Sequence, residues 1–287
     1  MPTIHCHAAV IALVALSCDS GERPPKTTTK MSEPALTPVP AGWVAVELTD
    51  EVLRCANHSK HEWQVSFARG ALSIVEAAVR EPNTGPDLPF PLPATLPFGA
   101  QSRRHVLAVP GGFLVGLDAG EWGGSLHAFS ADGKQHTELA GGNVRGLVAF
   151  GEEVVSIEGL SHLSLSEGNL RWLRRDGGAW REVAVVALDA GPETFVATTD
   201  ALYVVTMESL VRVGRDRKPK VIQPVRIGGL YPDSMTRDDA GGLWVGMRHL
   251  ILHLTPHGNR YDETWLVPER CKHARIDTKN FDCVCEG

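Results

Sequence analysis

Residues 232–267 read PDSMTRDDAGGLWVGMRHLILHLTPHGNRYDETWLV. Apolar runs at 243–245, 250–254 and 264–267 are separated by short polar turns, and a weaker run precedes them. Short runs rich in β-branched and aromatic residues, bounded by Gly, Asp and Asn, are strand signals. Four of them in about 36 residues predict a four-stranded antiparallel meander.

Working outward, the same rhythm recurs upstream. Runs at 105–109, 113–117, 125–129 and 135–139 are broken by Gly111-Gly112, a Gly-rich loop and Asp132-Gly133. A second unit runs through 144–150, 154–157, 169–174 and 180–186, and a third through 193–199, 201–206, 210–213 and 220–222. A spacing of about 30–45 residues falls in the range of propeller blades. The middle runs FLVGL, ALYVV and LILHL are apolar on consecutive residues. A sheet with one wet face alternates, whereas a sheet covered on both faces reads as a continuous apolar run. Blades packed face to face are covered in that way. The predicted fold is therefore all-β, a β-propeller of about five four-stranded blades over 43–268; a two-sheet β-sandwich is the competing fold.

The N-terminal unit is the least regular. Strand-like runs at 43–48, 62–67 and 71–79 include a hairpin around Ala68-Arg69-Gly70, and this unit is expected to share a blade with the C-terminus. Residues 81–101 hold six prolines. Proline cannot donate to a ladder, so an irregular loop is expected there.

The chain has 287 residues, 43% of them hydrophobic, with a formal net charge of -6. An acidic balance gives no basic face for nucleic acid. Residues 8–17 (AAVIALVALS) form an apolar stretch of signal-peptide length. Ala15-Leu16-Ser17-Cys18 resembles a bacterial lipoprotein box, although the preceding MPTIHCH lacks the usual Lys or Arg. The resemblance implies a signal peptide over 1–17, a lipidated Cys18 and anchoring to a bacterial membrane through lipid alone. Residues 18–42 are rich in Pro, Thr, Ser and charge, and are expected to form a disordered tether.

Cys55, Cys271, Cys283 and Cys285 remain for the mature domain, the last three in a Cys-rich tail over 269–287. An even count in an exported chain predicts two disulfides. Cys283 and Cys285 are too close in sequence for an unstrained bond, so Cys55 is expected to pair with one and Cys271 with the other. The alternative is a Cys3His zinc set of Cys271, His273, Cys283 and Cys285. In an oxidising compartment disulfides are favoured, and no metal or cofactor is expected.

Asp239-Ala240-Gly241-Gly242-Leu243-Trp244-Val245-Gly246 resembles the D-x-x-G-x-LWVGT repeat of the two-component-regulator type of β-propeller, with Met247 in place of Thr. The resemblance implies that Asp239 and Gly242 sit at the turn, Leu243, Trp244 and Val245 on the second strand and Gly246 at its end. Glycine supplies positive φ, and Trp244 fills the space between blades. That repeat is structural and carries no catalytic residue.

No G-x-S-x-G elbow, HExxH or phosphate-binding glycine loop occurs. His249, His253 and His257 recur every fourth residue, but on a strand they fall too far apart to share an ion. His58 and His61 belong to a polar loop. Arg171, Arg174, Arg175 and Arg181 with Trp172 and Trp180 predict a surface hairpin with cation–π packing. Asp118, Glu121 and Trp122 lie in the Gly-rich loop DAGEWGG. An exposed Trp there is a candidate partner contact. The expected function is binding or scaffolding at the cell envelope by a monomer, with an envelope protein or cell-wall component as partner. Two alternatives stand beside it: a metal-dependent propeller hydrolase or lyase, with residues gathered at the axis, and a periplasmic inhibitor or immunity lipoprotein.

Overall fold

The computed structural model describes residues 37–77, 83–96, 102–277 and 279–285. The signal segment, Cys18 and most of the expected tether lie outside the described residues. The chain enters through β1 (Trp43–Val46) and a helix, α1 (Asp50–His58), then a hairpin of β2 (Glu62–Ala68) and β3 (Ala71–Ala77). A short β4 (Asn83–Thr84) leads to the first full blade: β5 (Arg103–Val109), β6 (Gly112–Asp118), β7 (Gly124–Ser130) and β8 (His136–Gly141). The second blade is β9 (Val144–Phe150), β10 (Glu153–His162), β11 (Leu165–Asp176) and β12 (Ala179–Ala187). The third is β13 (Pro192–Ala197), β14 (Ala201–Thr206), β15 (Ser209–Gly214) and β16 (Pro219–Pro224). The fourth is β17 (Ser234–Arg237), β18 (Leu243–Gly246), β19 (Ile251–His257) and β20 (Arg260–Pro268). A small pair, β21 (Arg275–Asp277) and β22 (Asp282–Val284), ends the described chain.

Each full blade is an antiparallel meander whose strands pair in sequence order. The first strand of each blade is innermost: β9 packs on β5 and β6, β13 on β9 and β10, β17 on β13, and β2 on β17 and β18. That succession is a β-propeller and not a two-sheet sandwich. The fifth place in the ring holds the two-stranded hairpin β2–β3 rather than a four-stranded blade. Apolar residues on both faces of each blade dictate this arrangement, because each gap then has its own core. Leu114, Leu126, Val144, Val154 and Leu173 fill the gap between the first two blades. Val155, Ile157, Trp172, Leu202 and Val204 fill the next. Val205, Leu210, Leu243, Val245 and Leu252 lie between the third and fourth, and Trp63, Val65, Trp244 and Leu266 between the fourth and the hairpin. The remaining face of the first blade is covered by the Pro-rich segment. Leu88, Phe90, Leu92 and Leu96 pack on Val115, Leu117, Phe113 and Phe129. The prolines keep this stretch out of a ladder, as expected, while its apolar residues do the covering that a complete fifth blade would do. Blades approach closely at Gly116, where an added Cβ would stand 2.2 Å from Val144 Cγ1.

The ring is closed twice. β1 adds to the outer edge of the fourth blade, in register from Trp43↔Pro268 to Val46↔Trp265, so the N-terminal unit does share a blade with the C-terminus. Residues 37–42 already touch the fold there: Gly42 O accepts from Glu269 N at 2.8 Å. Disulfide Cys55–Cys283, with a Cα–Cα distance of 4.9 Å, clasps α1 to the tail, and Cys271–Cys285, at 4.3 Å, closes a short loop within the tail. This is one of the two pairings the sequence leaves open. Helix α1 has no counterpart in the sequence reading. Thr49 Oγ1 accepts from Val52 N, and Asp50 and Glu51 occupy its first turn, where carboxylates meet the positive end of the helix dipole.

The repeat-like segment shows how its residues work. Asp239 and Gly242 lie in the β17–β18 turn, but Asp238 makes the bonds: its carboxylate accepts from Gly242 N at 2.7 Å and from Trp244 Nε1 at 2.9 Å. Positive φ falls on Gly241 (86°), not on Gly242. Gly242 is needed for another reason: a Cβ would stand 2.7 Å from Asp238 Oδ2. Trp244 is fully buried against the hairpin and stacks on His253, with ring centroids 3.6 Å apart. Leu243, Val245 and Gly246 are buried on β18.

Candidate functional site

The innermost strands all begin at one end of the ring, the upper end, and each places a charged residue there. β2 starts with Glu62; β5 starts with Arg103; Arg145 and Glu193 are second in β9 and β13; Asp233 immediately precedes β17. Asp118 ends β6 and so returns to the same end. Arg145 donates to Asp118 at 2.9 Å and to Glu193 at 3.4 Å, which ties the first three blades together across the axis. Asp118 also accepts from Gly120 N, and Asn143 donates to Gly120 O, so the β6–β7 loop is fastened to this network.

Four carboxyls, Glu62, Asp118, Glu193 and Asp233, thus face two guanidiniums, Arg103 and Arg145. Burial pushes the Asp233 carboxyl up to about 7, helped by the charge of Glu62. Burial also raises Glu193. Desolvation lowers Arg103, and Arg145 lowers it further. His105, one residue pair further along β5, is pushed down to about 3 by burial and then by Arg103 and Arg145, and is a neutral imidazole at pH 7. Arg103 Nε, Asp233 Oδ1 and Asn143 Oδ1 are buried without a hydrogen-bond partner among the described residues, while Ser234 and Gln64 hydrogen-bond the Asp233 carboxyl. The Arg103 and Asp233 side chains sit in the field of each other.

The rim beside this well is apolar. Trp122 is 69% exposed, and Leu163 at the tip of the β10–β11 hairpin is 94% exposed with φ 55°. His162 Nε2 lies 3.0 Å from Glu121 Oε2, which brings the two tips together. The expected contacts Glu121 and Trp122 are therefore placed at the rim of the axial well. The sequence singles out Asp118 with its loop neighbours Glu121 and Trp122 but gives no sign of the other five charged members, because each stands alone in its own strand. A charge at the start of the first strand of every blade is the signal that would have found them.

Other expected residues go elsewhere. His253 is on β19 and His257 ends it, facing Asp262, but His249 is off the strand, buried in the β18–β19 loop at φ 66°. It abuts the disulfides, 3.7 Å from Cys283 Sγ, and burial, then His61, pushes it down to about 4. Among the described residues, the groups of three or more His, Cys, Asp or Glu with ligand atoms close together are Cys55, His249 and Cys283, and His249, Cys271 and Cys285. His273 is in neither, and the sulfurs there are bonded to each other. The arginine-rich hairpin is a set of ion pairs: Arg171 with Glu158 and Glu182, Arg174 with Glu153, Arg181 with Asp176. Its Trp172 is buried, and the cation over it is Arg217 from the next blade, because the residue fills the gap between blades. His61 faces Glu76 and stacks on Trp63. Among the described residues no helix is long and apolar enough to cross a membrane.

No family model matches the sequence, and no curated protein does. Solved structures resemble the fold. A streptogramin B lyase is 13% identical with a TM-score of 0.40, over 63% of this chain and 67% of that one. The extracellular domain of a hybrid two component system from B. thetaiotaomicron is 9% identical with a TM-score of 0.41, over 64% of this chain and 23% of that one. A protein of unknown function from Bacteroides caccae is 10% identical with a TM-score of 0.39, over 72% and 73%. The match thus spans less than a quarter of that extracellular domain.

Proposed function

We propose that this chain is an exported propeller, lipid-anchored at Cys18 to a bacterial membrane, that acts by binding a protein or cell-wall component of the envelope at the upper end of the ring. One observation carries the binding reading: five positions around the axis direct charged groups into one well, and exposed Trp122 and Leu163 stand at its rim. Burying charge costs free energy unless it is paired, and exposed aromatic side chains are frequent anchors in interfaces. The two disulfides suit an oxidising compartment, and the tether over 18–42 would hold the ring clear of the membrane.

Two measurements test this. Intact mass of the protein from membranes should show acylation at Cys18 and the loss of four thiol hydrogens; an unmodified chain starting at Met1 refutes the anchoring. Cross-linking from a photoreactive group at position 122 in envelope extract should capture a discrete partner. Capture that is equally efficient from the opposite end of the ring, at Gly178, refutes the binding face.

A further inference from the structure

At the end of the ring opposite Trp122, a cavity of about 300 Å³ opens between the first two blades. Its size is at the small end of the range for ligand sites, with room for a mono- or disaccharide. The turns β5–β6, β7–β8 and β11–β12 frame it. Trp180, second in β12, is half-buried on its lining. Gln135, His136, Thr137 and Arg175 line it and are exposed, so it communicates with solvent. Gly111 and Gly178 line it without side chains.

Arg175 sets the charge of this cavity. The other arginines of the β11–β12 hairpin are paired with carboxylates: Arg171 with Glu158 and Glu182, Arg174 with Glu153, Arg181 with Asp176. Arg175 is held by two carbonyls instead. Its Nε donates to Gly178 O at 3.2 Å, and its Nη1 donates to Pro110 O across the gap between blades. Two neutral acceptors fix the guanidinium without cancelling its charge. Neither bond uses Nη2, which lies over Gly111, where an added Cβ would stand 3.0 Å from it. No Asp or Glu lines the cavity among the described residues. A positioned guanidinium without a carboxylate complements an anion, and its fork suits a carboxylate or phosphate. The rest of the lining asks for more than an anion. An indole, an imidazole, a hydroxyl and an amide match the apolar face and the hydroxyls of a sugar ring. An aliphatic or aryl acid would make no use of Gln135 and Thr137.

We infer that this cavity is a binding site for an acidic sugar, the anionic group pairing with Arg175, the ring lying against Trp180 and the hydroxyls bonding to Gln135 and Thr137. The site is at the other end of the ring from Trp122 and stands independently of the binding face proposed above.

The test uses the intact disulfide-bonded protein and four probes: methyl glucuronide, glucose-6-phosphate, methyl glucoside and inorganic phosphate. Binding is followed by NMR of the backbone amides and the Trp180 indole signal. At least one of the two acidic sugars should bind at least about tenfold more tightly than both methyl glucoside and inorganic phosphate, and should shift the Trp180 signal. Which of the two binds tells a carboxylate from a phosphate. Arg175→Gln should remove the preference for an acidic over a neutral sugar. Thr137→Glu, at an exposed position on β8, sets a like charge beside the anion and should weaken binding by about tenfold or more. Four results would each overturn the inference: methyl glucoside binding as tightly as the acidic sugars, inorganic phosphate doing so, neither acidic sugar binding, or shifts that leave Trp180 untouched. The probe series on the unaltered protein decides the matter even if Arg175→Gln disturbs the turns it bridges.

Discussion

The disulfide Cys55–Cys283 spans 228 residues of sequence, and Cys271–Cys285 spans 14. In the chain-entropy model a cross-link stabilises by restricting the unfolded chain, in proportion to the logarithm of the loop it closes; the long loop then contributes about 5.5 kcal/mol and the short one about 3 kcal/mol at 25 °C. The two bonds lie side by side against His249, with Cys55, Cys283 and Cys271 buried and Cys285 half-buried, and loop length is the larger contrast between them. Replacing Cys55 and Cys283 together by alanine leaves no lone thiol. Urea unfolding of this variant should show a loss larger by about 2.5 kcal/mol than that of Cys271→Ala with Cys285→Ala. The m-value should rise, since an unfolded chain freed of the long loop exposes more surface. If the short-loop variant is destabilised as much as the long-loop one, then the clasp does not act by closing the ring. The β1–β20 ladder would in that case be sufficient for closure.

Four further outcomes are expected. Asp233 has a folded-state pKa raised from 3.8 to about 7, so its contribution is fully present below pH 3.8 and is lost as pH rises through about 7; Asp233→Asn should stabilise at pH 8 relative to its effect at pH 4, by urea midpoints at the two pH values. Acidification acts in the opposite sense through His105 and His249, whose lowered pKa values make stability fall as pH drops below about 6.5; His249→Gln should flatten that acid limb. Trp244→Ala should cost about 3–5 kcal/mol in chemical denaturation, from the cavity left between blade and hairpin. Leu163 is a large residue in the left-handed region at an exposed tip, so Leu163→Gly should raise the melting temperature slightly by relieving about 1 kcal/mol of backbone strain; a lowered melting temperature would show that its side chain packs.

The residues that were readable in the sequence are those whose signal is local. Strand length, Gly and Asp turns and continuous apolar runs predicted four blades to within a few residues, because a meander pairs neighbours in sequence. Helix α1 escaped although Thr49, Asp50 and Glu51 form a start signal and its apolar residues share one face, because nine residues are little more than two turns and lie in a region otherwise patterned as strands. Asp238 escaped for a different reason. It neighbours Asp239 in the turn, and only the backbone path decides which carboxylate turns inward to Gly242 and Trp244.

By itself, then, the sequence determined the repeating unit, the expectation of two disulfides joining Cys55 and Cys271 to Cys283 and Cys285, and the cover over both faces of each blade; which cysteine pairs with which is decided by the fold. The tertiary structure alone decided that the fifth place holds only a hairpin, with the Pro-rich segment covering the first blade. It alone assembled Glu62, Arg103, Asp118, Arg145, Glu193 and Asp233 into one well. Those six residues span 171 positions, from 62 to 233. No local spacing links them, because what brings them together is the closure of the ring around its axis.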